Sequence, residues 1–136
     1  MTIRYEIDRD LRLVVARPIL PLTVESPCEH FTAVAADPSI MRGTNEILDL
    51  STAEDCPLSV PELYGIVECI QTHPNRLRRL AIVCGNRDVL PRVLLLQEFA
   101  KPTSMEVGVF QERNSAAAWL TLRADQIEHV SFASAD

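Results

Sequence analysis

Glu46-Ile47-Leu48-Asp49-Leu50-Ser51 is the stretch on which the fold turns, together with Ser59-Val60-Pro61-Glu62 beyond it. The first reads as a buried strand that ends in an aspartate and a serine. A polar loop follows, carrying Glu54 and Asp55. The second reads as a helix start with a capping box: the Ser59 hydroxyl can accept from a first-turn amide, and Glu62 can reach back to the cap amide. Leu63, Ile66, Val67 and Ile70 then recur at helical spacing. Strand, loop and capped helix make one βα unit. In α/β proteins the carboxyl ends of such strands are where ligands and partners meet the sheet.

Working upstream, Ile3 to Ile7 alternates apolar and polar, Asp8-Arg9-Asp10 signals a turn, and Leu11 to Ala16 is a second strand. These two form an antiparallel hairpin. Ser26-Pro27-Cys28-Glu29 is another capping box with proline at the first helical position. Phe31, Val34 and Ala35 give that helix its apolar face, and Asp37-Pro38 closes it. Downstream, His73-Pro74-Asn75 stops the second helix. Leu80 to Cys84 is a short apolar run of the kind buried on both faces. A third helix is expected from about Asp88 to Ala100, with Val89, Val93, Leu96 and Phe99 in one stripe and Leu90, Leu94 and Leu95 widening it. Met105 to Phe110 is the last strand, and Ala116 to Leu120 lies in the last helix. The expected order is β-β-α-β-α-β-α-β-α, a mixed and mostly parallel sheet with packed helices. One domain over residues 1–120 and an extension over 121–136, frayed from Ser131, complete the expectation.

Composition fits this. The chain has 136 residues, 47% of them hydrophobic and 24% charged, which is enough for one real core. Its net charge of −6 argues against a nucleic-acid binder, which needs a basic face. No apolar run reaches membrane-spanning length, and the first residues lack a signal peptide's hydrophobic region, so a cytoplasmic location is expected. Cys28, Cys56, Cys69 and Cys84 are scattered with no C-x-x-C pair, and they read as small hydrophobes in a reduced chain. With His30, His73 and His129 they offer no zinc spacing, and no metal or cofactor is expected. Gly85-Asn86-Arg87-Asp88 holds one glycine and matches no phosphate-binding fingerprint.

The opening hairpin ending L-R-L-V-V-A, the I-L-D-L-S strand end at Ile47 to Ser51, and the closing V-G-V-F…A-A-W-L of Val107 to Leu120 together resemble the STAS fold of anti-sigma factor antagonists. More closely they resemble its SpoIIAA-like branch, often labelled STAS/SEC14-like. The resemblance implies a single-domain STAS-like α/β fold. In antagonists with a working switch, an acidic-Ser-Ser-Gly motif opens the helix after D-L-S. This chain has Pro57-Leu58-Ser59-Val60 there, which keeps a serine and lacks the acid and the glycine.

The candidate residues follow. Ser51, Asp55 and Ser59 are candidates for a switch or a partner-binding surface, with Ser59 explained first as a cap. Asp49, Val93 and Leu95 are candidates for a ligand or partner surface; for Asp49 the simpler role is accepting nearby backbone amides. The Asn75-Arg76-Leu77-Arg78-Arg79 cluster is a solvated connection first and an anion contact second. The expected function is a non-catalytic protein-interaction or regulatory module, with a protein partner and a homodimer as expected associations. One alternative is a binding protein for a small apolar or lipid-like ligand, walled by the third helix. Another is an enzyme built on Asp49, Asp55 or Cys56.

Overall fold

The computed structural model describes residues 3–19, 25–71 and 77–121. In chain order the elements are β1 (Ile3–Asp8), β2 (Leu13–Pro18), α1 (Glu25–Ala36), β3 (Asn45–Asp49), α2 (Val60–Gln71), β4 (Arg79–Val83), α3 (Leu90–Ala100), β5 (Glu106–Phe110) and α4 (Arg113–Trp119). The five strands form one mixed sheet in the order β1-β2-β3-β4-β5. β1 is antiparallel to β2, and every later neighbour pair is parallel.

That sequential order decides where the helices lie. Right-handed crossovers between neighbouring parallel strands place successive helices on the same face. Phe31 and Val34 of α1, Leu63 and Ile66 of α2, and Val93 and Leu96 of α3 pack in one core with Val14, Leu48, Leu80 and Ile82 of the sheet. α4 follows the last strand and is not a crossover, so it is free to take the other face. There Ala116, Ala117 and Leu120 pack with Leu13, Val15, Ile47, Ala81 and Val83. The strand residues alternate between the two clusters with period two, and both faces of β2, β3 and β4 are buried. This is why those strands read as nearly continuous apolar runs.

Three boundaries differ from the sequence expectation. β2 begins at Leu13 rather than Leu11. Asp8 Oδ1 accepts the Leu11 amide at 3.0 Å, and Arg12 has a left-handed φ of 49°, so the turn extends through residue 12. α1 begins at Glu25, which puts Pro27 inside the first turn; a proline there loses no intrahelical bond. α3 begins at Leu90 because Asn86 first holds a turn: its Oδ1 accepts the Asp88 amide at 2.7 Å. The expected helix stop at His73-Pro74-Asn75 and the expected extension after Thr121 lie outside the described residues.

A buried polar pair and a half-buried one sit between α1 and the sheet. His30 Nε2 lies 2.9 Å from Glu46 Oε2, with the two side chains 1% and 0% exposed. His30 Nδ1 and Glu46 Oε1 have no protein partner. Nearby, Tyr5 donates its hydroxyl to Asp37 Oδ2 at 2.9 Å, and its ring meets the His30 ring edge-on. Burial, then the hydrogen bond to Asp37, push the Tyr5 hydroxyl up to about 12.

Candidate functional site

The parallel strands β2 to β5 deliver their carboxyl ends to one edge of the molecule, where the loops after β3, β4 and β5 meet. Backbone bonds carry the sheet past its formal end: the Leu50 amide donates to Val83 O at 2.8 Å, and the Cys84 amide to Phe110 O at 2.7 Å. Asn86 ties two loops together by donating its Nδ2 to Ala53 O at 3.1 Å. The loop from Ser51 to Ser59 is therefore held from below and beside, although it has no regular structure of its own.

Asp49 is buried at the end of β3 on the α4 side. Its Oδ1 accepts the Ser51 amide at 2.9 Å, which is the role expected of a short acid at a strand-to-loop junction. Its Oδ2 accepts from Arg113 Nε at 3.0 Å and from Nη2 at 2.8 Å. Arg113 opens α4, 64 residues further along the chain, and nothing in the local sequence pointed to it. Both carboxylate oxygens are thus engaged, and the pair pins α4 to the sheet edge. Asp49 is a brace for this corner and presents no open face.

The other candidates separate. Ser51 and Asp55 are exposed, and Asp55 Oδ1 accepts the Cys56 amide at 2.8 Å. Ser59 forms the full reciprocal box: its amide donates to Glu62 Oε1 at 2.8 Å, and the Glu62 amide donates to its Oγ at 3.3 Å. Hydrogen bonding from the Ser59 side chain, then from its amide, holds the Glu62 carboxyl below its ordinary range. Ser59→Ala is expected to lower stability by about 1 kcal/mol, while Ser59→Asp, also a good cap, keeps most of it. Urea denaturation followed by circular dichroism checks both. Val93 is core, and Leu95 is half-buried against it; the exposed aliphatic of α3 is Leu94. A helix stripe read by spacing alone cannot say which flank turns outward.

Apolar side chains face outward on the helices after the Ser51–Ser59 loop. Val60 and Tyr64 lie one turn apart on α2 and are 41% and 51% exposed, and Leu94 of α3 is 42% exposed. Tyr64 stacks on Phe99 of α3 with ring centroids 3.9 Å apart, so it is held in place while still presenting itself to solvent. Glu54 and Asp55 on the loop, and Glu68 one turn beyond Tyr64 on α2, are exposed.

Beneath the loop lies an apolar cavity of about 40 Å³, lined by Leu50, Cys56, Leu58, Leu63, Val93 and Leu96 among others. Burial pushes the Cys56 thiol up, against the opposing pull of the Leu58 amide and Arg92. At the opposite edge, a groove of about 300 Å³ runs between the β1–β2 turn and the segment after α1. Its polar groups are engaged in turns: Asp8 accepts the Leu11 amide, and Thr44 Oγ1 donates to Met41 O. Of the basic cluster, Arg79 bonds Glu106 Oε2 at 2.8 Å and Trp119 O at 3.0 Å, and lies over the Trp119 ring.

Among the described residues, no group of three or more His, Cys, Asp or Glu is placed to hold a metal ion, and no helix is long and apolar enough to cross a membrane. The class defined by the geometry is an α/β protein with a five-stranded mixed sheet in sequential order. Comparison with family models, with curated proteins and with solved structures finds no match to this chain.

Proposed function

We propose that this chain is a non-catalytic protein-interaction module of STAS-like, SpoIIAA-like build, which docks a partner protein on the Ser51–Ser59 loop and the first turns of α2. The observation that carries this reading is the exposed Val60–Tyr64 pair, backed by the Tyr64–Phe99 stack and set immediately after a braced loop. A held aromatic with an apolar neighbour is the kind of anchor on which interfaces concentrate their binding energy. Glu54, Asp55 and Glu68 make the surroundings acidic, so the partner that fits presents an apolar socket with a basic rim. A twofold pairing through the same face would set these acids against themselves, which favours a different partner over self-association. The order β-β-α-β-α-β-α-β-α supports the STAS-like reading. Ser59 serves as the cap of the docking helix, in a form of the family's switch that has lost its acidic and glycine neighbours.

The apolar-ligand reading draws on the cavity under the loop, yet about 40 Å³ is far below the roughly 300 Å³ at which small-molecule pockets begin. Affinity capture with crosslinking tests the docking reading. The tagged wild-type chain is expected to enrich a defined partner, and Val60→Glu with Tyr64→Glu to reduce that enrichment about tenfold or more. A remote control, Arg42→Glu, is expected to leave it intact. Enrichment indifferent to both changes in α2 would count against this surface. So would a purified chain that sediments as a dimer and is split by the same changes.

A further inference from the structure

We infer that Cys28 and Cys69 form an oxidisable dithiol, a modification site that a small-molecule disulfide converts to an intramolecular disulfide joining α1 to α2. The two residues are 41 positions apart and lie on neighbouring helices with their Sγ atoms 2.7 Å apart. Neither is in a disulfide. A covalent S–S bond needs about 2.05 Å, so closure asks only for a small side-chain adjustment. The packing directs this meeting. Cys28 Sγ also lies 3.8 Å from the carbonyl oxygen of Gly65, which seats the thiol against the backbone of α2. Both cysteines are partly exposed, so a small oxidant can reach them. The other two are placed differently: Cys84 is buried, and Cys56 lines the apolar cavity beside Arg92.

The chemistry is thiol–disulfide exchange. Burial, then the hydrogen bond with Cys69, push the Cys28 thiol up to about 12. Cys69 releases its proton and attacks one sulfur of oxidised glutathione. The glutathione S–S bond breaks, a mixed disulfide forms, and one glutathione thiolate leaves with the bonding pair. Cys28 then releases its proton and attacks the Cys69 sulfur, expelling the second glutathione thiolate. Two protein thiols lose two electrons, one glutathione disulfide gains them, and the two protons end on the released glutathione thiols. The product closes a long loop and ties the helix that carries Val60 and Tyr64 to its neighbour.

The test treats the reduced full-length chain with millimolar oxidised glutathione under anaerobic conditions. The intact mass is expected to fall by two hydrogens with no retained glutathione, faster at pH 8.5 than at pH 7. Peptide mapping is expected to place the bridge between Cys28 and Cys69, and the thermal midpoint to rise by about 10 °C. Cys28→Ser and Cys69→Ser are each expected to abolish the bridge, and Cys56→Ser to leave it. Mapping of the wild-type chain alone decides the matter if a variant folds poorly. A glutathione adduct that persists on either cysteine, a bridge to Cys56 or Cys84, or no mass change would overturn the inference.

Discussion

Glu46→Ala is expected to destabilise the protein by about 3–5 kcal/mol, because it leaves the buried His30 without its carboxylate partner. The pair is completely enclosed between α1 and the middle of the sheet. Glu46 sits on β3 between Val14 and Leu80 in the strand register, on a face whose other β2, β3 and β4 side chains are aliphatic. Removing one partner strips the other of its single polar contact while its desolvation cost stays. Replacing both together is a different experiment. His30→Leu with Glu46→Met removes the buried polarity and keeps the volume, and it should recover most of the loss or exceed the wild type. Urea denaturation of the two single variants and the double variant gives the coupling directly. Additive losses in the double variant would mean that the two side chains do not depend on each other.

The second large effect is at Gly108. A Cβ built there would come within 2.7 Å of Phe110 Cε2 and 3.2 Å of Trp119 Cζ-side ring carbon Cε3. The Phe110 and Trp119 rings pack at 5.4 Å between β5 and α4, and Arg79 closes over Trp119 from the other side. Both rings are half-buried, so one or both must shift to admit the added atom. Gly108→Val is expected to cost about 3 kcal/mol, the upper end of what overpacking does to a well-filled core. Gly108→Ala is expected to cost less, and Phe110→Leu in that background to restore part of the loss. Thermal unfolding of the three proteins checks this, and an unchanged midpoint for Gly108→Val would show that α4 can shift to make room.

These two sites also mark where the sequence is silent. The alternation of apolar residues identified the strands, and the Ser59 capping box and the Asp-Pro stop marked helix ends, because each is a local consequence of backbone geometry. The sheet order was not local and stayed open. At the junction after β3, Asp49 was legible as an acceptor of backbone amides, since the Ser51 amide is two residues away. Its ion pair with Arg113 was not, because only the packing of α4 on the second face brings that residue in. Glu46 read as the polar first residue of a strand and His30 as an unremarked helix residue, and only their approach across the core makes them a pair. Which flank of α3 faces outward was not legible, and Leu94 is the exposed aliphatic, because a helix with aliphatics nearly all round carries no outward signature of its own.

The sequential strand order has a consequence for how the chain comes to exist. After the first hairpin, every new strand pairs with the strand made just before it. No strand waits for a partner that has yet to be synthesised, and none has to be threaded between two already joined. Domains whose contacts run between neighbours in sequence gather quickly, and chains begin to fold from the end made first. Emerging from the ribosome, this protein can therefore grow its sheet in one direction, like a stair built tread by tread, with Arg113 arriving at the end to lock onto an Asp49 laid down long before.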